Sequence, residues 1–199
     1  MATDFVYLAS ASPRRRELLR QIGVPFRPIG VAVDEAAMQG EAAPDYVVRL
    51  AIAKARAGWR AASGAGGPVA PVLGADTAVV LDGCIVGKPK DRDDAARMLG
   101  ELSGRTHAVL TAVALCDAGG TVWRMSRSEV KFRDIDAAEC GAYADSGEPL
   151  DKAGGYAIQG FGAVFVEQMH GSYSGVMGLP IFETAVLLCG AGVPRWCVR

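Results

Sequence analysis

The stretch LASASPRRREL, Leu8–Leu18, decides the reading of the fold, because an apolar strand runs there directly into a helix start. Phe5–Ala9 reads as a buried strand. Ser12 suits an N-cap, and Pro13 falls at the first helical position, where its missing N–H does no harm. Leu18, Leu19 and Ile22 recur at one-turn spacing, which sets Arg14, Arg15 and Arg16 in the first turn. Cations at the positive end of a helix dipole are electrostatically misplaced unless an anion joins them. A strand leading into a helix N-terminus, with hydroxyls, free N–H groups and guanidinium groups, is a general phosphate-binding arrangement. A capped surface helix with solvated arginines fits the same letters, so the rest of the chain has to decide.

Working outward, Phe26–Val33 reads as a second strand ending at Asp34-Glu35. Asp45–Ala62, with Pro44 near its start and Val47, Leu50, Ala51 and Lys54 at helical spacing, predicts a long helix. The segment SGAGGPVAP then breaks it as a surface loop. Val72–Leu81 and Cys84–Val86 flank Asp82-Gly83, a strong hairpin signal. Asp91 caps a helix running to Leu102, and Gly104 ends it. His107–Leu115 and Thr121–Phe132 surround a Gly119-Gly120 turn and predict a second hairpin. Asp136–Ala144 reads as a helix, Ala163–Met169 as a strand and Pro180–Cys189 as a closing helix. Helices interleaved with strands and two hairpins predict an α/β protein with a mixed sheet and flanking helices.

A chain of 199 residues can bury on the order of 70% of its unfolded surface, enough for one sizeable domain or two lobes sharing a cleft. Half the residues are hydrophobic and 22% are charged, so disorder is not expected. A formal net charge of -1 argues against a nucleic-acid coat protein, and any positive site must be local. No stretch approaches the ~18 apolar residues of a membrane span, and no basic-then-apolar leader opens the chain, so a cytoplasmic protein is expected. Cys84, Cys116, Cys140, Cys189 and Cys197 are odd in number and lack any C-x-x-C spacing, which favours buried reduced thiols over disulfides or zinc. His107 and His170 are too far apart in sequence to suggest a histidine metal cluster.

Polar residues gather at predicted strand ends: Asp34-Glu35, GADT with Asp76 and Thr77, GKPKD with Lys88, and DKAGGYAIQG with Gln159. Asp34-Glu35 also fits a solvated turn, Lys88 a residue leaving a hairpin, and Lys54 a helix lysine with its stem laid on apolar surface. Asp76 is harder to dismiss, because a carboxylate inside the apolar run VLGADTAVVL needs a partner or a metal. His107 begins a strand and is expected to be a hydrogen-bonded structural residue. Trp59 and Trp123 are expected to pack, and Gly171, Gly175 and Gly178 to permit tight turns.

Taken together, LASASPRRRELL, the Asp34-Glu35 pair, KA at Lys54, GADT, GKPKD, LSGRTHAVLTAV, GEPLDKAGGYAIQG and GSYSGVMGLP resemble the Maf family, in order and over nearly the whole chain. The resemblance implies a single domain over residues 1–199, with two lobes around a deep cleft and no P-loop. It also implies metal-dependent hydrolysis of a nucleoside triphosphate to the monophosphate and pyrophosphate. Such chemistry needs charge neutralisation on the polyphosphate, a positioned water and a group to take its proton. Ser10, Arg15, Lys54 and Lys88 are the candidates for phosphate oxygens. Glu35 and Asp76 are the candidates for Mg²⁺ or Mn²⁺, and Asp76 is the candidate proton acceptor, a role the resemblance implies too. The branch of the family acting on 7-methyl-GTP typically has Trp, Gln and Glu where this chain has Arg14, Thr77 and Gln159, and Arg16 is expected to be a solvated helix residue. The expected substrates are therefore dTTP and UTP. The alternatives are 7-methyl-GTP, or a non-catalytic nucleotide-binding regulator of division. A homodimer is compatible with the sequence, and the tail GVPRWCVR has no functional reading.

Overall fold

The computed structural model describes residues 4–64, 66 and 68–197. The opening junction forms β1 (Val6–Ala9) and α1 (Pro13–Gln21), followed by β2 (Phe26–Pro28) and the long α2 (Ala43–Gly64). β3 (Val72–Leu81) and β4 (Cys84–Val86) make the first hairpin, and α3 (Arg92–Leu102) follows. β5 (Thr106–Asp117) and β6 (Gly120–Phe132) make the second hairpin, ahead of α4 (Ala137–Asp145). After three 3₁₀ turns come β7 (Val166–His170), the short α5 (Tyr173–Met177) and α6 (Ile181–Gly190). The strands form one seven-stranded sheet in the order β2-β1-β3-β5-β6-β7, with β4 paired to β3. β1 runs parallel to β2 and β3, whereas β3–β4 and β6–β7 are antiparallel, so the sheet is mixed as expected.

The chain divides into two compact units. The first comprises the described residues of Met1–Asp76, Thr111–Ser126 and Gly178–Arg199; the second comprises Thr77–Leu110 and Arg127–Met177. In the first, α2 packs on β1 and buries Val47, Leu50, Ala51 and Ala55. The second is built around Phe132, whose ring meets His107 at 4.9 Å, Tyr156 at 4.8 Å and Phe165 at 6.1 Å. Leu99, Leu102, Val109 and Val130 complete that core. α3 is capped by the Asp91 carboxylate, which accepts from the Asp94 N–H. α4 carries a full capping box between Asp136 and Glu139.

Several expectations need correction. Ser12 stands at the N-cap of α1 with extended backbone angles, but its side chain makes no capping bond. β2 stops at Pro28 rather than Val33, because its partner β1 offers a register only from Val6 to Leu8; the Ile29 N–H makes the last bond to it, on Leu8 O at 3.0 Å. The Gly119-Gly120 turn is shifted by one residue: Gly120 already opens β6, at φ +128°. Ala163–Phe165 belongs to a 3₁₀ turn, so the strand expected there begins only at Val166. Gly171 and Gly178 do adopt left-handed φ of +114° and +115°, but Gly175 lies inside α5. Trp123 is 49% exposed on β6, and Cys84, Cys189 and Cys197 are exposed rather than buried. Ala65 and Gly67 of the glycine-rich loop lie outside the described residues.

Candidate active site

The first unit brings together six of the residues singled out in the sequence. The approach of β3 to α2 is what makes this possible. Gly74 faces α2 so closely that a Cβ there would stand 2.5 Å from both Ala51 O and Ala55 N, which are backbone atoms with little room to give. Two residues on, Asp76 shares that face of the strand, because side chains alternate. Lys54 is the neighbour of Ala55 on the helix. Its ammonium consequently lies 2.7 Å from Asp76 Oδ1 and 2.6 Å from Glu35 Oε1. The Lys54 and Asp76 side chains are 12% and 10% exposed, while Glu35 is 48% exposed. We expect Gly74→Ala to lower unfolding stability by roughly 1–3 kcal/mol through overpacking. A shift in urea midpoint at unchanged m checks this, and an unshifted midpoint would show that the two backbones have room to spare.

The Glu35 loop is pinned by α2, and sequence reasoning did not identify the pins. Tyr46 donates its hydroxyl to Glu35 O at 3.0 Å, and Arg49 donates from Nη2 to Ala36 O at 3.0 Å. Arg49 also holds Glu41 at 2.6 and 2.7 Å, and Glu41 accepts the Met38 N–H. The hydrogen bonds from Arg49 hold the Glu41 carboxyl down at about 2. Tyr46 and Arg49 lie one turn apart on α2, and Lys54 about two turns on from Tyr46; that spacing was the available signal, and it is shared by any amphipathic helix.

At the opening junction, Arg15 donates from Nη1 to Ser10 Oγ at 3.1 Å and from Nε to Gly178 O at 2.7 Å. Ser10 Oγ also accepts the Ser12 N–H at 3.2 Å. Burial lowers the pKa of Arg15 overall; Asp76 and Glu35 act to raise it and Arg14 to lower it further. Arg14 is half-buried on the same turn. Arg16, expected to be solvated, is half-buried too, and its Nε has no hydrogen-bond partner among the described residues. Burial raises the pKa of Asp76, and this outweighs the opposing pull of Lys54 and Arg15.

The second unit carries Thr77, Lys88 and Gln159; Thr77 is half-buried, and Lys88 and Gln159 are exposed. The Lys88 loop is tied to the glycine-rich turn by the Gly154 N–H, which donates to Gly87 O at 2.9 Å. His107 is structural, as expected. It pairs through Nε2 with the Tyr156 hydroxyl at 2.8 Å, and burial pushes its pKa down to about 4, so it is neutral near pH 7. Among the described residues no cluster of three or more His, Cys, Asp or Glu side chains forms a ready metal cage, and no helix is long and apolar enough to cross a membrane.

The first unit thus sets a buried carboxylate and a second carboxylate on one ammonium, with the Arg15 guanidinium at a helix start. The chain belongs to the Maf family: the family described as Maf-like protein matches residues 5–191. It is 54% identical over 198 residues to a protein of Aromatoleum aromaticum named dTTP/UTP pyrophosphatase, covering 95% of this chain and 96% of that one. A protein of the same name from Chromobacterium violaceum is 52% identical over 187 residues, with 94% of each chain covered. The Staphylococcus aureus Ham1 protein, a solved structure, is similar over 65% of this chain and 72% of its own at 14% identity and a TM-score of 0.39, a likeness that adds nothing to the sheet order above.

Proposed function

We propose that this chain is a cytoplasmic, metal-dependent nucleoside triphosphate pyrophosphatase that converts dTTP and UTP to the monophosphate and pyrophosphate. The observation that carries the reading is the Lys54 ammonium shared by Asp76 and Glu35. A buried ion pair of this kind contributes little to stability, because desolvation offsets most of the attraction. Its value lies in chemistry. Relatives that bear the pyrophosphatase name over nearly the full chain support the substrate class.

Hydrolysis between the α and β phosphates consumes one water. Asp76 takes the water's proton while pyrophosphate departs with the electron pair of the broken P–O bond. A base must be ionised at working pH yet retain proton affinity, and burial gives Asp76 the second property while Lys54 and Arg15 preserve the first. Ser10, Arg15, Lys54 and Lys88 take phosphate oxygens, the guanidinium of Arg15 being held in place by the Gly178 carbonyl. The converging oxygens of Glu35 and Asp76 are hard donors of the kind Mg²⁺ or Mn²⁺ prefers, and two carboxylates leave the remaining ligands to water and phosphate. Bound there, such an ion supplies neutralisation of the polyphosphate charge.

Arg14, Thr77 and Gln159 face the base in this reading. Arg14 repels the cationic ring of 7-methylguanine, whereas the Gln159 amide offers a donor and an acceptor to the carbonyl and imide N–H of thymine or uracil. Purified protein assayed with Mg²⁺ or Mn²⁺ for pyrophosphate release is expected to give higher kcat/KM for dTTP and UTP than for 7-methyl-GTP. A preference for 7-methyl-GTP would reject the base assignment, and nucleotide binding without turnover would point to a regulator instead.

A further inference from the structure

Glu148 has no part in the reaction above, yet its carboxylate is fully engaged. Oε1 accepts the Tyr143 hydroxyl at 2.7 Å and the Gly162 N–H at 3.1 Å, and Oε2 accepts the Phe161 N–H at 3.0 Å. Tyr143 in turn accepts the Ala157 N–H at 3.1 Å. The segment these bonds bracket is a tight turn, closed by the Gly160 N–H on Ala157 O at 3.1 Å, and Gln159 is its exposed tip. Ala157 and Ile158 are buried beneath it.

Two glycines make this clamp sterically possible. A Cβ at Gly160 would stand 2.1 Å from Glu148 Oε2, and one at Gly162 would stand 2.9 Å from Tyr143 Oη. The letters YAIQGFG are thus shaped around the carboxylate and the phenol. Tyr143 is fixed from behind by an edge-to-face contact with Phe165 at 5.2 Å. A glutamate serving only solubility would not be met by two backbone N–H groups and a buried hydroxyl.

We infer that Glu148 and Tyr143 are positioning residues for nucleobase selection, holding the turn that presents the Gln159 amide to a base edge bearing a carbonyl next to an imide N–H. This rests on the reading of Gln159 as base-facing. An amide reads a base by the direction of its donor and acceptor, so a turn free to rock loses discrimination while contacts to phosphate are untouched. Glu148→Gln keeps the shape of the side chain but sets an NH₂ against one of the donors that the carboxylate now accepts, which loosens the turn.

The test is calorimetric binding, with Mg²⁺ present, of two probes: the α,β-imido analogue of dUTP, and inorganic tripolyphosphate, which has no base. The wild type, Glu148→Gln, Gln159→Ala and the double variant are compared. Glu148→Gln is expected to weaken the analogue on the order of tenfold and to leave tripolyphosphate within about twofold. In the Gln159→Ala background the additional loss disappears, because the two residues act as one unit. Equal losses for both probes, no loss, or a full loss that persists without Gln159 would each overturn the proposal. Should Glu148→Gln fail to fold by circular dichroism, Tyr143→Phe, which keeps the ring packing, is held to the same outcomes. The base assignment is judged separately, from the wild type alone, by comparing the dUTP analogue with its 7-methylguanosine counterpart. If the methylated purine is preferred, that assignment fails, and the clamp still stands or falls on whether its variants move base-bearing ligands only.

Discussion

Asp76→Asn is expected to lower hydrolysis of dTTP and UTP by at least ~10² while the protein remains folded. Asparagine has the shape of aspartate, and its carbonyl oxygen can still accept from Lys54, which lies 2.7 Å from Oδ1 in the wild type. What it lacks is basicity, the property that burial enhances in Asp76. The stability consequence has the opposite sign to the activity loss. The Asp76 carboxyl binds its proton more tightly in the folded protein than at its ordinary value of 3.8, so wild-type stability falls as pH rises through the window above that value. Asparagine carries no such cost, and Lys54 keeps Glu35 as its partner at 2.6 Å. Thermal unfolding from acid to neutral pH should therefore show the variant holding its own or gaining on the wild type as pH rises. Near-normal turnover by folded Asp76→Asn protein would remove Asp76 from the role of proton acceptor.

The parts of the fold that were legible in the sequence are those governed by local rules. Pro13 at a helix start, Asp82-Gly83 between strands and Asp91 before α3 each act within a few residues, and the structure has Asp82 and Gly83 at positive φ and Asp91 in its capping bond. The element boundaries that failed were set by distant partners: β2 ends where β1 ceases to offer a register, which no property of Phe26–Val33 reveals. The site followed the same division. Asp76 was conspicuous because an apolar strand gives a carboxylate no local partner. That its partner is Lys54 depends on the empty space at Gly74, and a glycine inside a strand pattern signals close approach without naming what approaches. Glu148 and Tyr143 were missed because, apart from the bond between them, their bonds run to backbone N–H groups, which every sequence contains. Arg16 was misjudged because a run of three arginines does not disclose that all three are half-buried.

Lys54→Met separates the electrostatic argument from simple packing. Methionine keeps most of the stem volume and removes the charge, leaving Asp76 and Glu35 without the ammonium they share. Loss of one partner from a buried ion pair costs about 3–5 kcal/mol, and the lower end applies here because Glu35 is 48% exposed and solvent relieves part of its charge. The cost depends on pH. Without Lys54 the folded-state pKa of Asp76 rises further above its unfolded value, so the native state holds the extra proton over a wider window and stability falls as pH rises through it. At acid pH, where both carboxyls are protonated in either state, the deficit against the wild type should nearly vanish; at neutral pH it should be full. Urea unfolding at several pH values measures this directly, and a deficit of constant size would attribute the loss to packing alone. Hydrolysis by the same variant should fall on the order of 10²-fold or more, because a charge-assisted contact to phosphate is lost at the same stroke as the cation that keeps Asp76 ionised. Asp76→Asn and Lys54→Met are thus expected to abolish most activity alike while moving stability in opposite directions at neutral pH. That divergence follows only if a single ammonium serves both carboxylates.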